Sequence, residues 1–484
     1  MLKQETFTRV LLAPLACIVV AMAAGCGQDK AGAPAVTEPA APNAPVPAGA
    51  IELSDAQIDD LVQRSYQYVA MYNVNNKFAL SQGGWNTCVA DTELKDHTMQ
   101  DIARPNNDTL YVGCMLDLHN DAMVLSIPAI DSKYVSLMVT AYDHYVNIPL
   151  ATRTGDFRQP VNLLLYSERT PGYDGKPVEG VDQVFEASGD FVSAVFRVMP
   201  HASDPQRFER VVAQMQSIGT TTLSEFRGEP ARRAEPLDFP AVGASDADVF
   251  GSNLLEVMQF VFNHTTFHED EELDRELLAA YEPLGVIPGR TYDPERVASV
   301  DKARLRDAAA RVAAANLAKA TDQQFAEENT YGLFQPKGET NLSRLLFQSV
   351  IGPIGQPAAE AVYPAIGAAD GAPMNAMNDY VIRMSKDELP PADAFWSLTL
   401  YDLDQGFFIP NDRKKYSVGE NGGMELDADG GIAIYVAAEK PEGVPDENWL
   451  PIERKDLGLS LILRIYVPDL EALKSWQPPV AERL

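Results

Sequence analysis

The spacing of apolar residues changes period three times along this chain. After residue 50, Ile58, Leu61, Val62, Val69 and Met71 recur near helical spacing, which predicts an amphipathic helix ending around Asn73–Asn76. Ser54-Asp55-Ala56-Gln57 just before it fits a capping box. From Thr109 to Pro200 the pattern becomes short apolar or alternating runs: LYVGCML, MVLSIP, YVSLMVTAY, VNLLLY and VSAVFRVM. Gly, Asn, Asp and Pro separate them, so an antiparallel β domain, a sandwich, is expected. Helical spacing then returns. Asp204-Pro205 opens a helix through Ile218, and 246–264 and 269–281 read as two more. The Ala- and Arg-rich stretch 294–322 predicts a long helix capped by Asp293, and 343–350 adds another. From Val362 onward YVIRM, FWSLTLYD, GFFIP, GIAIYVA and LSLILRIYVP predict a second sandwich.

The expected fold class is therefore multidomain α+β. Two antiparallel β-sandwich domains carry helical subdomains between and before them. The divisions are 51–200 for the first helix and β domain, 201–355 for the helical region and 356–484 for the second β domain.

The segment ahead of residue 51 predicts a location. Lys3 and Arg9 precede the mostly apolar run 10–22, which is too short for a confident membrane span. Ala23-Ala24-Gly25-Cys26 follows, so residues 1–25 read as a lipoprotein signal peptide, with lipid expected on Cys26. An ordinary signal peptide cut nearby is the alternative. Gly27, where an inner-membrane retention signal has Asp, favours an outer-membrane lipoprotein facing the periplasm. Residues 27–50 are Ala/Pro-rich and cannot pack; with Cys26 they form a tether reaching roughly 75 Å.

Composition narrows the partners. The chain has 484 residues, 46% of them hydrophobic, so sizeable cores are available. A net charge of −30 repels nucleic acid and anionic lipid unless a metal or a local Arg cluster inverts the field. A small-molecule or glycan ligand, the membrane through lipid on Cys26, and further copies of the chain in a homo-oligomer are the partners this allows. Cys88 and Cys114 remain in an oxidising compartment. Their spacing leaves a disulfide and two buried thiols both open.

The sharpest local signal is RPNNDTLY, Arg104 to Tyr111. Asn106, Asn107 and Asp108 favour an Asx-type turn ahead of a strand. Asn107 and Asp108 also offer hard oxygens suited to Ca²⁺ or Mg²⁺. Arg104 would orient Asp108 or bind an anion, and Asn106 and Tyr111 would meet a substrate. In the C-terminal half Trp396, Tyr416, Trp449 and Arg464 form an aromatic and polar set suited to a sugar or ring-shaped ligand. Trp and Tyr at strand spacing are more often core residues with one satisfied polar tip. His144, in a β run, is the candidate acid/base partner of Asp108. His264 and His268 stand four apart, a zinc half-site if helical, but the segment reads as a helix end. No Gly-x-Ser-x-Gly elbow, phosphate loop or dinucleotide fingerprint occurs, so no nucleotide cofactor is expected.

RPNNDTLY, the turn ATRTG and the β run before it resemble the domain-of-unknown-function family twelve fifty-four. AVYP (361–364), PPADAFWSLTLYD (390–402), GFFIPN (406–411), KYS (415–417), NWLP (448–451) and LRIYVP (463–468) are similar to its companion, family twelve fourteen. The resemblance implies two all-β domains with helical subdomains, the C-terminal one of jelly-roll type. It fixes no substrate, and His144, His264 and His268 are not part of its pattern.

Two functions follow as expectations. The first is a metal-assisted hydrolase of small polar or sugar-like esters, with Asn107 and Asp108 on the cation, Arg104 on developing negative charge and His144 moving protons. The alternative is a non-catalytic glycan- or small-molecule-binding lipoprotein.

Overall fold

The computed structural model describes residues 51–100, 104–232, 236–319, 325 and 328–484. The signal peptide, Cys26 and the tether lie outside the described residues. The first helix, α1 (Asp55–Ser81), opens on the expected capping box between Ser54 and Gln57. It continues past Asn73–Asn76 because two of these asparagines find partners inside the protein. Asn73 donates to Asp246 and accepts from the Gly243 amide, and Asn76 donates to the Tyr72 carbonyl and the Tyr142 hydroxyl. An Asn so satisfied does not compete for its own backbone.

Nine strands follow: β1 (Thr87–Ala90), β2 (Leu110–Asp117), β3 (Met123–Ile127), β4 (Val135–Thr140), β5 (Val146–Ala151), β6 (Val161–Ser167), β7 (Gln183–Ala187), β8 (Phe191–Val198) and β9 (Gly219–Thr222). Between β8 and β9 runs α2 (Pro205–Gln216), capped by Asp204, and α3 (Leu223–Phe226) follows β9. The strands form two sheets, β1-β2-β8-β4-β5 and β7-β6-β3-β9. All pairs are antiparallel except β6 with β7. Leu110, Val112, Leu125, Leu163 and Phe196 fill the space between them. Cys88 and Cys114, direct cross-strand partners, are disulfide-bonded.

The helical layer holds α4 (Asp246–Ser252), α5 (Leu254–Asn263), α6 (Glu272–Tyr281), α7 (Lys302–Lys319) and α8 (Leu342–Ile351). Its core is shared with α1, whose residues 65–76 are buried all round. The helix expected over 246–264 is broken at Asn253, which leaves helical geometry and donates to the Ala241 carbonyl. The long helix begins at Lys302 rather than Pro294, because Asp301 accepts from the Ala303 and Arg304 amides. Asp293 instead accepts from the Glu295 amide in a turn.

The last domain comprises β10 (Ala361–Val362), β11 (Ala365–Ile366), β12 (Tyr380–Met384), β13 (Ala392–Asp402), β14 (Ser417–Gly419), β15 (Ile432–Ala437), β16 (Trp449–Pro451), β17 (Leu459–Pro468), the short helix α9 (Leu470–Leu473) and β18 (Ala481–Arg483). One sheet runs β10-β17-β13-β14 with β11 beside β17; the other runs β16-β15-β12-β18. Here too one pair, β15 with β16, is parallel. GFFIP makes only an isolated bridge, Phe408 to Tyr401. The architecture is α+β with two β-rich domains, as expected.

Side chains on a strand alternate between faces. On β13, Trp396, Leu398 and Leu400 point into the C-terminal core, so Phe395, Ser397, Thr399 and Tyr401 point away from it. On β17, Leu461, Leu463 and Ile465 enter the core while Arg464 and Tyr466 face outward. On the N-terminal sheet Val112, Phe196, Val198 and Leu137 are core, whereas Tyr111, Arg197 and Ser136, in register across β2, β8 and β4, face outward. These two outward faces pack on each other. Tyr134 and Met199 of one domain and Phe395, Tyr466 and Val467 of the other share one buried cluster.

A buried polar joint as the candidate functional site

The RPNNDTLY turn sits at this joint. Asn106 Oδ1 accepts from the Asp108 amide at 2.8 Å, the Asx turn that the sequence predicts. Asn106 Nδ2 donates to Thr109 Oγ1 at 3.0 Å, to the Tyr111 hydroxyl at 3.1 Å and to the Tyr466 hydroxyl at 3.0 Å. The last contact crosses between domains.

Asp108 is 1% exposed. Its Oδ2 accepts from Ser397 Oγ at 2.6 Å and from the Tyr466 hydroxyl at 3.4 Å. Burial pushes its pKa up, and the nearby Arg464 guanidinium and the hydroxyls of Ser397 and Tyr466 only partly offset that. Arg464, also buried, donates from Nη1 to Thr399 Oγ1 at 2.7 Å. Its Nη2 donates to the Tyr401 hydroxyl at 2.6 Å and to the Arg104 carbonyl at 3.1 Å. Tyr401 in turn donates to the Pro105 carbonyl at 2.7 Å, and the Arg104 amide donates to the Gly406 carbonyl at 2.6 Å. The turn is therefore clasped by the C-terminal sheet through its side chains and its backbone.

Arg197 lies beside it, 5% exposed, with its guanidinium 5.5 Å from the Tyr111 ring centre. Nη2 donates to the Ile354 carbonyl; Nη1 is buried and makes no hydrogen bond. Burial disfavours its charge, yet Tyr111, Tyr363 and Tyr134 around it hold its pKa above the ordinary value. Glu360 completes the set, buried and paired with Arg153 at 2.8 Å. Burial raises the Glu360 pKa against the pull of Arg153. Tyr111, Asn106 and Tyr363 are half-buried and form the rim.

The structure thus brings together Arg104, Asn106, Asp108, Tyr111 and Arg464. It does not bring His144 to them. His144 is fully buried under α8, with Nδ1 2.8 Å from Ser349 Oγ and Nε2 2.9 Å from the Pro353 carbonyl. Both ring nitrogens are engaged, so the expected acid/base partnership with Asp108 has no geometry here. Trp396 is in the C-terminal core on the opposite face of β13. Trp449 belongs to the other sheet, where Nε1 donates to the Ala437 carbonyl and Arg413 covers its ring. Tyr416 is buried near the joint, stacked on Phe408 with its hydroxyl 2.8 Å from His97 Nδ1. α5 ends at Asn263, and His264 Nδ1 binds Asp190 at 2.8 Å, so His264 and His268 do not share a helix face.

Of the two expected cation ligands at the turn, Asn107 is buried with its Oδ1 making no hydrogen bond, and the Asp108 carboxylate faces two hydroxyls and a guanidinium. Among the described residues no group of three or more His, Cys, Asp or Glu side chains could hold a metal ion.

Arg197, Tyr134 and Glu360 are absent from the residues singled out in the sequence. Arg197 had a signal: a lone charge inside VSAVFRVM, in a strand buried at every position.

His144 carries a pH prediction. Burial lowers its pKa to about 4. Between pH 6.5 and 4 the unfolded state then binds more protons, so its contribution is full above pH 6.5 and is lost as pH falls through 4. The loss is on the order of 3 kcal/mol. His144→Asn, which tolerates the left-handed φ of 63° at this position, is expected to flatten the fall in melting temperature over that range. Melting curves of the variant and the parent that stay parallel from pH 7 to 4 would contradict this.

Comparison with known proteins places these halves. Residues 85–220 match the model of a protein of unknown function, DUF1254, and residues 360–470 match another, DUF1214. No curated protein matches the chain. Among solved structures, the VPA0106 protein from Vibrio parahaemolyticus aligns with a TM-score of 0.65 at 22% identity, covering 88% of this chain and 100% of that one. An uncharacterised protein from Burkholderia cenocepacia aligns with a TM-score of 0.39 at 13% identity, over 89% of this chain and 95% of that one. At these identities the first likeness shows the fold alone. The chain belongs to the DUF1254 family over residues 85–220 and to the DUF1214 family over residues 360–470.

Proposed function

We propose that this chain is a lipid-anchored envelope protein that binds a small polar molecule at the joint between its two β domains. One observation carries the reading. Asn106 joins Tyr111 of one domain to Tyr466 of the other, and Arg197, packed against the Tyr111 ring, holds a buried Nη1 with no protein acceptor. Buried donors normally have partners, and an unpaired one beneath a half-buried rim is what a ligand acceptor satisfies. The hydrolase reading has less behind it, because His144 and Asp108 are not assembled and Asp108 is enclosed by protein groups. The anchoring rests on the Ala23–Cys26 pattern, and the tether would carry the joint into the periplasm.

The chain from Gly27 onward, melted with a panel of neutral monosaccharides and small organic acids, tests the reading. At least one member is expected to raise the melting temperature, by mass action on the folded state. The rise should vanish in Arg197→Gln. A panel with no stabilising member, or a rise unchanged in Arg197→Gln, overturns it.

A further inference from the structure

We infer that the joint selects a small monocarboxylate, bound by Arg197 and Tyr111 together. This rests on the binding role proposed above and names its ligand class. Tyr111 and Arg197 are direct cross-strand partners on β2 and β8, so their polar ends share one face. The Tyr111 hydroxyl accepts from Asn106 Nδ2, which leaves its own proton to be donated. Arg197 Nη1 is likewise a donor with no acceptor. Tyr111 and Arg197 thus offer two adjacent donors, one of them charged. A carboxylate, with two acceptor oxygens and one negative charge, matches that pair. A sugar hydroxyl would bring a further donor that Arg197 cannot accept.

The local charge agrees. The chain as a whole is −30. Among the described residues the joint gathers Arg153, Arg197 and Arg464 against Asp108 and Glu360. Asp108 faces Arg464, and Glu360 is paired with Arg153 and also lies in the field of Arg197, so three guanidiniums meet two carboxylates and the joint carries net positive charge. The acidic exterior still opposes polyanions, which restricts the ligand to one charge. Tyr111 and Tyr363, half-buried at the rim, offer ring faces to the organic part of the acid.

The experiment is titration calorimetry on the chain from Gly27 onward, at constant ionic strength, with sodium lactate, sodium benzoate, glucose and trisodium citrate as probes. Lactate or benzoate is expected to bind, citrate to bind more weakly, and glucose not to bind. Tyr111→Phe, which keeps the ring and loses the donor, is expected to weaken the acid about tenfold. Arg197→Gln is expected to abolish binding. Circular dichroism confirms that both variants are folded. Glucose binding with no response to the acids overturns the carboxylate inference and leaves the binding role standing. No heat with any probe overturns both. Acid binding unaffected by Tyr111→Phe removes Tyr111 from the site.

Discussion

Lys337→Met is expected to lower the free energy of unfolding by about 3–5 kcal/mol, although the substitution keeps most of the side-chain volume. Lys337 is nearly buried, with Nζ 2.9 Å from Asp274 Oδ2, 3.8 Å from Asp143 Oδ2 and 3.1 Å from the Thr266 carbonyl. It lies over the rings of Tyr145 and Phe267. Asp143 and Asp274 are at most 1% exposed, and each has one oxygen with no hydrogen bond. Burial already pushes the Asp143 pKa up, and Lys337 is the group that opposes this most. Without the ammonium, two buried carboxylates face each other and a proton must be taken up. A carboxylate whose folded pKa is raised favours the fold below its unfolded pKa, and that contribution is lost as pH rises through the folded value. The deficit of Lys337→Met should therefore be largest at pH 7 and shrink towards pH 5. Urea unfolding followed by circular dichroism at both pH values measures it. A deficit under 1 kcal/mol at pH 7 would show that the lysine does not compensate these carboxylates.

Arg464→Met is expected to cost a similar amount, about 3–5 kcal/mol, and to loosen the two β domains from each other. Its guanidinium supplies Thr399, Tyr401 and the Arg104 carbonyl and stands against the Asp108 charge. Several buried acceptors lose a donor together, and Asp108 loses its counter-charge. Arg464→Lys should recover only part of the loss, since an ammonium cannot span the same acceptors. Adding Asp108→Asn to Arg464→Met removes the uncompensated charge and should recover more than a third of it. Calorimetric unfolding of the set reads both effects, including any split of one transition into two. An Arg464→Met profile that matches the parent would mean that the polar joint contributes little to holding the domains together.

Much of this architecture was legible in the sequence, because strand alternation and capping are local. The Ser54 box, the Asp204 cap, the Asn106 turn and the runs that became β2, β4, β8, β13 and β17 all follow from neighbours within a few residues. What escaped depends on distant partners. α1 outlasts Asn73 because Asp246, far along the chain, accepts from it. Trp396 was open to both a ligand-stacking and a core reading, and the alternation along β13 paired with β17 assigns it to the core face. His144 was expected to partner Asp108, but its partners come from the segment 349–353. Packing between the domains turns the outward-facing half of these alternating strands into the joint. Arg197 and Arg464 are the residues where that difference is visible, since a charge on a fully buried strand needs a second surface to face.

The most direct test of the joint as a ligand site is a crystal structure of the chain from Gly27 onward, grown with sodium benzoate. The account predicts the carboxylate within hydrogen-bonding distance of both Arg197 Nη1 and the Tyr111 hydroxyl, with the ring against Tyr111 or Tyr363. A protein acceptor on Arg197 Nη1, with the acid absent or bound elsewhere, would contradict it.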